Sequence, residues 1–493
     1  MKKSIYKIGT LVLAIVLTTM SCSKLEDFGS TNVNPAATNK PITSALLTNV
    51  LAGSSTTYQG IGDLANNRVT ALYCQYFSET QYPDVSNYSA NTASPMATYS
   101  GVLYDLQNII ITNTAEDTKA IAALNGANAN QIAIARILKA FIFQRLTDRW
   151  GDIPYSQALK GDPNVAFDTQ ESIYKDLIKE LTEAVAQVTT GAPIKGDIAY
   201  NGDMTKWKKL ANSMRMIMAL RLSKKYPGAS DYAATQFKAA LNDPAGSIAT
   251  NADNFRLDYP GSAFKNPFYN MYDGRKDYGE SETMTTLLNS LGSDARQAVF
   301  GATSSGAATT KGVPYGRART FIDPWCGANP DYAYVFAPAY RTQTSPIFII
   351  KAASILLARA EAADRGWTTE STATLYTAGI NASHEQWGLA LPSATYFANA
   401  NIALGAAGTN LPQIAKQAYV AYFPDGCSGY ANWRRTGIPA LTPAPDATNN
   451  PKVIPRRFMY GTSDYTLAKT GVEAAVARLT GGDKMDSKVW WDQ

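Results

Sequence analysis

One histidine, His384, stands in a chain of 493 residues. Any His-based nucleophile triad or zinc centre would have to form around it. Its setting, NASHEQWG, places Gly388 where H-E-x-x-H needs a second histidine, so a surface or core histidine is the expected role. No G-x-S-x-G elbow occurs, and GAATTKG lacks the glycine that precedes lysine in a phosphate-binding loop. SIYK at 172–175, SDY at 463–465 and KTG at 469–471 imitate the motifs of penicillin-binding enzymes. SDY and KTG almost touch in sequence, whereas those enzymes carry them far apart, and SIYK sits inside a helical stripe. The three are read as coincidence. Asp and Glu are numerous, and no motif singles out two of them as a glycoside-cleaving pair. A lipid-anchored glycan hydrolase therefore stays as one alternative function, and a peptide-binding or scaffold lipoprotein as another.

Cys22 carries different chemistry. Lys2, Lys3 and Lys7 form a basic end, followed by IGTLVLAIVL from Ile8 to Leu17. That apolar run is half the ~20 residues a membrane-spanning helix needs, so residues 1–21 read as an export signal. Small Ser21 then precedes Cys22. The arrangement resembles a bacterial lipobox, although Thr19 stands where leucine is usual. The chain would be cut before Cys22 and its thiol lipidated, giving the only membrane anchor. Removing the three lysines takes the formal charge from +5 to +2, which is no electrostatic footprint for nucleic acid. Cys74, Cys326 and Cys427 remain, allowing one disulfide at most and showing no metal spacing.

The elements that must position any site are mainly helical. Residues 23–45 are polar and read as a tether, so the division is signal 1–21, tether 22–45 and domain 46–493. NQIAIARILKAFIFQRLTDRWGD puts Ile134, Leu138 and Phe141 on one face and stops at Gly151. FDTQESIYKDLIKELTEAVAQV carries a stripe from Ile173 to Val188, with Asp168 and Glu171 at capping-box spacing. GDMTKWKKLANSMRMIMALRLSKKY repeats the pattern behind Asp203 as N-cap. SPIFIIKAASILLARAEAADRGW reads as a helix from Pro346 to Gly366. The many alanines permit close helix pairing of the tetratricopeptide kind. Residues 244–345 and 387–470 are rich in Gly, Pro, Asn, Asp and Tyr and read as loops, apart from SETMTTLLNSLG.

With Cys22 as anchor, the chain resembles the SusD/RagB family of nutrient-binding outer-membrane lipoproteins, in its second SusD-like branch. LTDRWGDIPYSQAL carries the resemblance furthest. FDTQESIYKDLIKEL, DIAYNGDMTKWKKLANSMRMIMALRLSK, GRKDYGESETM, ASILLARAEAADRGW, NWRRTGIPAL, IPRRFMYG and GGDKMDSKVWWD follow in the family's order. Gly461 departs from the family's usual proline. The resemblance implies an all-α fold of tetratricopeptide-like helix pairs with a loop-rich lobe. It implies a SusC-like TonB-dependent transporter as partner, whose barrel the lipoprotein covers as a lid. It implies capture of an oligosaccharide, or in some branches a peptide, with no reaction catalysed and no cofactor, while leaving open a calcium ion that orders a loop. The location would be the outer membrane, facing outward; Lys24, Glu26 and Asp27 resemble a surface-export signal. Arg434, Arg435, Arg456 and Arg457 are expected against carboxylates or carbonyls, and VWWD is expected to pack on the fold.

Sugar recognition needs flat aromatic faces together with Asn, Asp or Arg. The loops offer three such stretches. YFSETQYPDVSNY supplies Tyr82, Asp84, Asn87 and Tyr88. FKNPFYNMYDG supplies Asn266, Tyr269, Asn270 and Tyr272. FIDPWCGANPDYAY supplies Asp323, Trp325 and Tyr332. Tyr82, Asn87, Tyr88, Tyr269, Tyr272, Asp323 and Trp325 are the ligand-binding candidates.

Overall fold

A computed structural model describes residues 41–53, 68–89, 93–162 and 165–493. The signal segment, Cys22 and most of the tether lie outside the described residues. In chain order the main helices are α1 (Thr43–Ala52), α2 (Arg68–Tyr73), α3 (Tyr104–Thr114), α4 (Asn128–Trp150), α5 (Gln170–Gln187), α6 (Met204–Arg221) and α7 (Tyr232–Leu241). Then come α8 (Glu282–Ser290), α9 (Arg319–Ala328), α10 (Ala352–Asp364), α11 (Thr372–Glu385), α12 (Leu411–Tyr422) and α13 (Gly426–Thr436). From α3 to α7 each helix packs on the next. The second series packs α10 on α11 and α12, α12 on α13, and α13 back on α2. This is the expected helix-pair scaffold, and helices dominate throughout.

The strands are short and form two-stranded antiparallel ribbons. They are β1 (Phe77–Glu79), β2 (Ile153–Pro154), β3 (Phe167–Asp168), β4 (Phe255–Leu257), β5 (Tyr278–Glu280), β6 (Gly301–Ala302), β7 (Tyr334–Val335) and β8 (Ile347–Ile350). β1 pairs with β5, β2 with β3, β4 with β8 and β6 with β7. Most of them, with α8 and α9, lie between α7 and α10 and build the loop-rich lobe.

Local chemistry sets the helix ends. Asp203 caps α6, its carboxylate accepting from the N–H groups of Thr205 and Lys206. Gly151 stops α4 at φ +88°, a conformation that favours glycine. Asp168 does not cap α5. Its carboxylate accepts from the N–H groups of Tyr155 and Ser156 at 3.0 and 2.9 Å, so Thr169 takes the cap. Residues 347–350 are strand, because the isoleucine-rich run pairs with β4. The helix expected from Pro346 therefore starts only at Ala352. The 387–470 stretch is also less irregular than expected, since it contains α12 and α13. Their stripes were hidden among alanine, glycine and tyrosine.

The last two turns of α4 form a buried polar spine. Arg145 meets Asp425 in a two-bond pair of 2.9 and 2.7 Å. Asp148 accepts from the Trp491 indole N–H at 2.9 Å and from the Tyr174 hydroxyl. The Arg149 carbonyl accepts from Phe458 N–H at 2.8 Å, and the Trp150 carbonyl from Arg457 at 3.1 Å. The other arginines behave as expected. Arg435 pairs with Glu361, Arg456 with Asp492, and Arg434 donates to the Arg456 carbonyl at 2.9 Å beside the buried ring of Trp491.

Asp425 has no exposed surface. Arg145→Met would leave it charged and unpaired, which costs about 3–5 kcal/mol. A matching drop in the urea unfolding midpoint is expected, largely recovered when Asp425→Leu is added.

Candidate functional site

Helix α9 rests on a small apolar cluster of Val313, Ile322 and Tyr332, separate from the main core. Ile322 is its inward residue. Phe321 and Trp325 lie four apart and therefore side by side. Phe321 is 40% exposed and Trp325 is half-buried. Behind Trp325, Tyr332 stacks on Tyr334 with ring centres 4.7 Å apart. Arg317 lies over the Phe321 ring at 4.1 Å, and Arg319 lies over Tyr82 at 5.1 Å. Tyr82, 51% exposed, thereby joins the α9 face from a different loop. Asp84 and Asp323 are exposed beside these rings in sequence. Flat apolar faces and guanidinium groups thus share one surface, which suits a ligand with C–H-rich faces and hydroxyls.

The loop that carries Tyr82 is anchored from below. Thr80 N–H donates to the Asp277 carbonyl at 2.9 Å, continuing the β1–β5 ribbon. Glu79 Oε2 accepts from Ser86 N–H at 2.8 Å and Ser86 Oγ at 2.9 Å. Burial pushes the Glu79 carboxyl up to about 7, against the lowering effect of those bonds. Glu280, on β5, is pushed up to about 8 by burial, with Gln297 Nε2 donating to it at 2.6 Å. Gly301 makes room for it, since an added Cβ would fall 1.8 Å from Glu280 Oε2.

The sequence candidates separate into two groups. Tyr82 and Trp325 belong to the face just described, and Asp323 is exposed on α9 two residues from each of its rings, on another side of the helix. Tyr88 does not: it is 1% exposed, its oxygen accepts from Ala444 N–H at 3.0 Å, and its ring edges onto Tyr73. Asn87 is also buried, and its carbonyl accepts from Thr448 N–H and Oγ. Both hold the base of the loop, because a phenol and an amide in a tight turn find backbone partners first. Tyr272 donates to the Tyr278 carbonyl at 2.9 Å, accepts from Val335 N–H at 2.8 Å, and is covered by Arg341 at 4.2 Å. Tyr269 stays half-exposed with Lys265 5.2 Å over its ring. Asn266 is buried and caps the short helix Pro267–Met271. Phe321, Arg317 and Arg319 were missed. The i, i+4 aromatic pair in FIDPW, just after GRART, was the available signal.

Other chemistry is absent from this face. His384 is 2% exposed, its Nδ1 3.0 Å from the Ile380 carbonyl and its Nε2 3.5 Å from Asp294, a core histidine as expected. Cys74, Cys326 and Cys427 form no disulfide, so the one pairing the sequence allowed is not made. Among the described residues no group of three or more His, Cys, Asp or Glu could hold a metal ion. SIYK lies in α5, where Lys175 pairs with Glu171 at 2.6 Å.

A family model described as "Starch-binding associating with outer membrane", SusD-like, matches residues 35–461. The chain belongs to the SusD-like family. A solved chitin-binding protein is 29% identical, with TM-score 0.75, covering 92% of this chain and 100% of its own. A chitin-binding SusD homologue from Flavobacterium johnsoniae is 24% identical, with TM-score 0.74 over 92% and 98% of the two chains. A SusD homologue from Bacteroides uniformis is 24% identical, with TM-score 0.75 over 92% and 100%. No curated protein matches. The SusD-like family is associated with the outer membrane, and among the described residues no helix is long and apolar enough to cross a membrane.

Glu280 gives this SusD-like chain a pH signature. Its carboxyl ordinarily titrates at 4.5 and is raised to about 8 when folded. Its contribution is full below 4.5 and declines as pH rises towards 8, because the unfolded chain has already released the proton. Thermal unfolding between pH 5 and pH 7 should show Tm falling in the native protein. The fall should be shallower in Glu280→Gln.

Proposed function

We propose that the protein is a cell-surface nutrient-binding lipoprotein that captures an oligosaccharide and serves as the lid of a SusC-like TonB-dependent transporter. The face of exposed Tyr82 and Phe321 and half-buried Trp325, flanked by Arg317 and Arg319, is the observation that carries this reading. Rings of sugar stack on such faces through their C–H surfaces, while guanidinium and carboxylate groups bond the hydroxyls. Family membership and two chitin-binding structural relatives support a glycan over a peptide. The ligand is held and passed on intact. Lipid on Cys22 holds the domain at the membrane, with residues 22–45 as its tether. Any role for Lys24, Glu26 and Asp27 in outward display belongs to this same proposal.

Calorimetry against chitin and starch oligosaccharides and against peptides tests the ligand class. Tyr82→Ala and Trp325→Ala should each weaken glycan binding by about 1–3 kcal/mol, the range found for stacking of bases on aromatics. Unchanged affinity in both would move the site elsewhere, and a peptide response alone would replace glycan by peptide. The oligosaccharide should be recovered whole after long incubation; cleavage products would establish the hydrolase instead. Co-purification with a barrel protein tests the lid role.

Cys22→Ser should release the protein from membranes into the soluble fraction. Retention in the membrane pellet would show that lipid on Cys22 is not the anchor.

A further inference from the structure

Far from α9 in sequence, the scaffold contains a cavity of about 210 Å³. It lies between Gln107 of α3, Arg136 and Lys139 of α4, Asp176 and Glu180 of α5, and the turn after β2. Pockets for drug-sized ligands run to ~300–1,000 Å³, so the occupant here is one small molecule. Its charges are unequally satisfied. Arg136 is saturated, bonding both Glu180 oxygens at 2.9 and 3.0 Å and Gln187 at 3.0 Å. Lys139 instead donates to the neutral Gln107 Oε1 at 2.7 Å and has no ion pair within 4 Å among the described residues. Burial pushes its amine down from the ordinary lysine value, which Glu180 only partly offsets. Asp176 accepts from the Tyr155 hydroxyl through Oδ2 at 2.7 Å, which leaves Oδ1 as an open acceptor. Phe143, Ala140 and Leu177 supply an apolar floor. The wall is closed by Leu159, held at φ +64°, a left-handed backbone that leucine rarely adopts.

A half-buried ammonium lacking a carboxylate attracts an anion. Carboxylate oxygens on the opposite side accept hydroxyl donors. We propose that this cavity is a second binding site for a small hydroxylated carboxylate of hexuronate type, its carboxylate on Lys139 and its hydroxyls on Asp176 and Glu180. A sugar acid meets both demands at once. A neutral sugar leaves Lys139 without its charge partner, and a simple anion leaves the acceptors empty.

Calorimetry of the full-length protein in detergent with D-glucuronate and D-glucose as probes tests the site. Glucuronate should bind saturably and at least ~tenfold more tightly than glucose, the minimum for one charge-assisted contact. Lys139→Met should abolish that binding at unchanged Tm. Gln107→Glu should abolish it too, by placing a carboxylate against Lys139 in an intact fold. Tyr82→Ala should leave it unaltered, which keeps this site distinguishable from the α9 face. Absence of saturable glucuronate binding, equal binding of glucose, or full binding in whichever of the two cavity variants folds would overturn the proposal.

Discussion

Arg145, Asp148 and the carbonyls of Arg149 and Trp150 are buried polar groups that helix α4 cannot satisfy by itself. Their partners are Asp425, Trp491, Phe458 and Arg457, supplied by the distant end of the chain. Taking such groups out of water costs several kcal/mol each unless the partner arrives with good geometry. The helix pairs built early in the sequence are therefore completed by the last segment of it. Asp492 and Glu361 extend the same arrangement to Arg456 and Arg435. The closing strap of Trp490 and Trp491 lies against this spine, with Arg221 and Arg434 over the Trp491 ring. Most of the motifs that carry the family resemblance map onto this assembly and not onto the α9 face.

This division explains what could be read from the residues alone. Periodicity identified α4, α5 and α6, because their buried stripes are long and regular. The caps at Asp203 and Gly151 were legible because each acts on its nearest neighbours in sequence. Asp168 misled because its carboxylate serves a turn that precedes it, a tertiary choice invisible to spacing. The isoleucines at 347–350 misled for a similar reason, since strand or helix was decided by β4, far upstream.

The site was legible only in part. Composition pointed to aromatic loops, and in them Tyr82 and Asp323 are exposed and Trp325 is half-buried. Tyr88, Asn87 and Tyr272 have the same residue chemistry but turn it to backbone groups, the Asn87 amide donating to the Arg317 carbonyl at 3.5 Å. Nothing in a tyrosine's immediate neighbours states whether its hydroxyl will find water or a carbonyl. That depends on which segment lies opposite, and the partner is 356 residues away for Tyr88 and 63 for the Val335 N–H that meets Tyr272.

Helix α9 stands on its own small cluster of Val313, Ile322 and Tyr332 instead of the main core. Its outward residues are consequently insulated from the spine that holds the domain together. Drift at Phe321, Asp323 or Trp325 alters the presented surface without disturbing the ion pairs of α4. A chain built this way can exchange one exposed surface while its buried skeleton stays as it is.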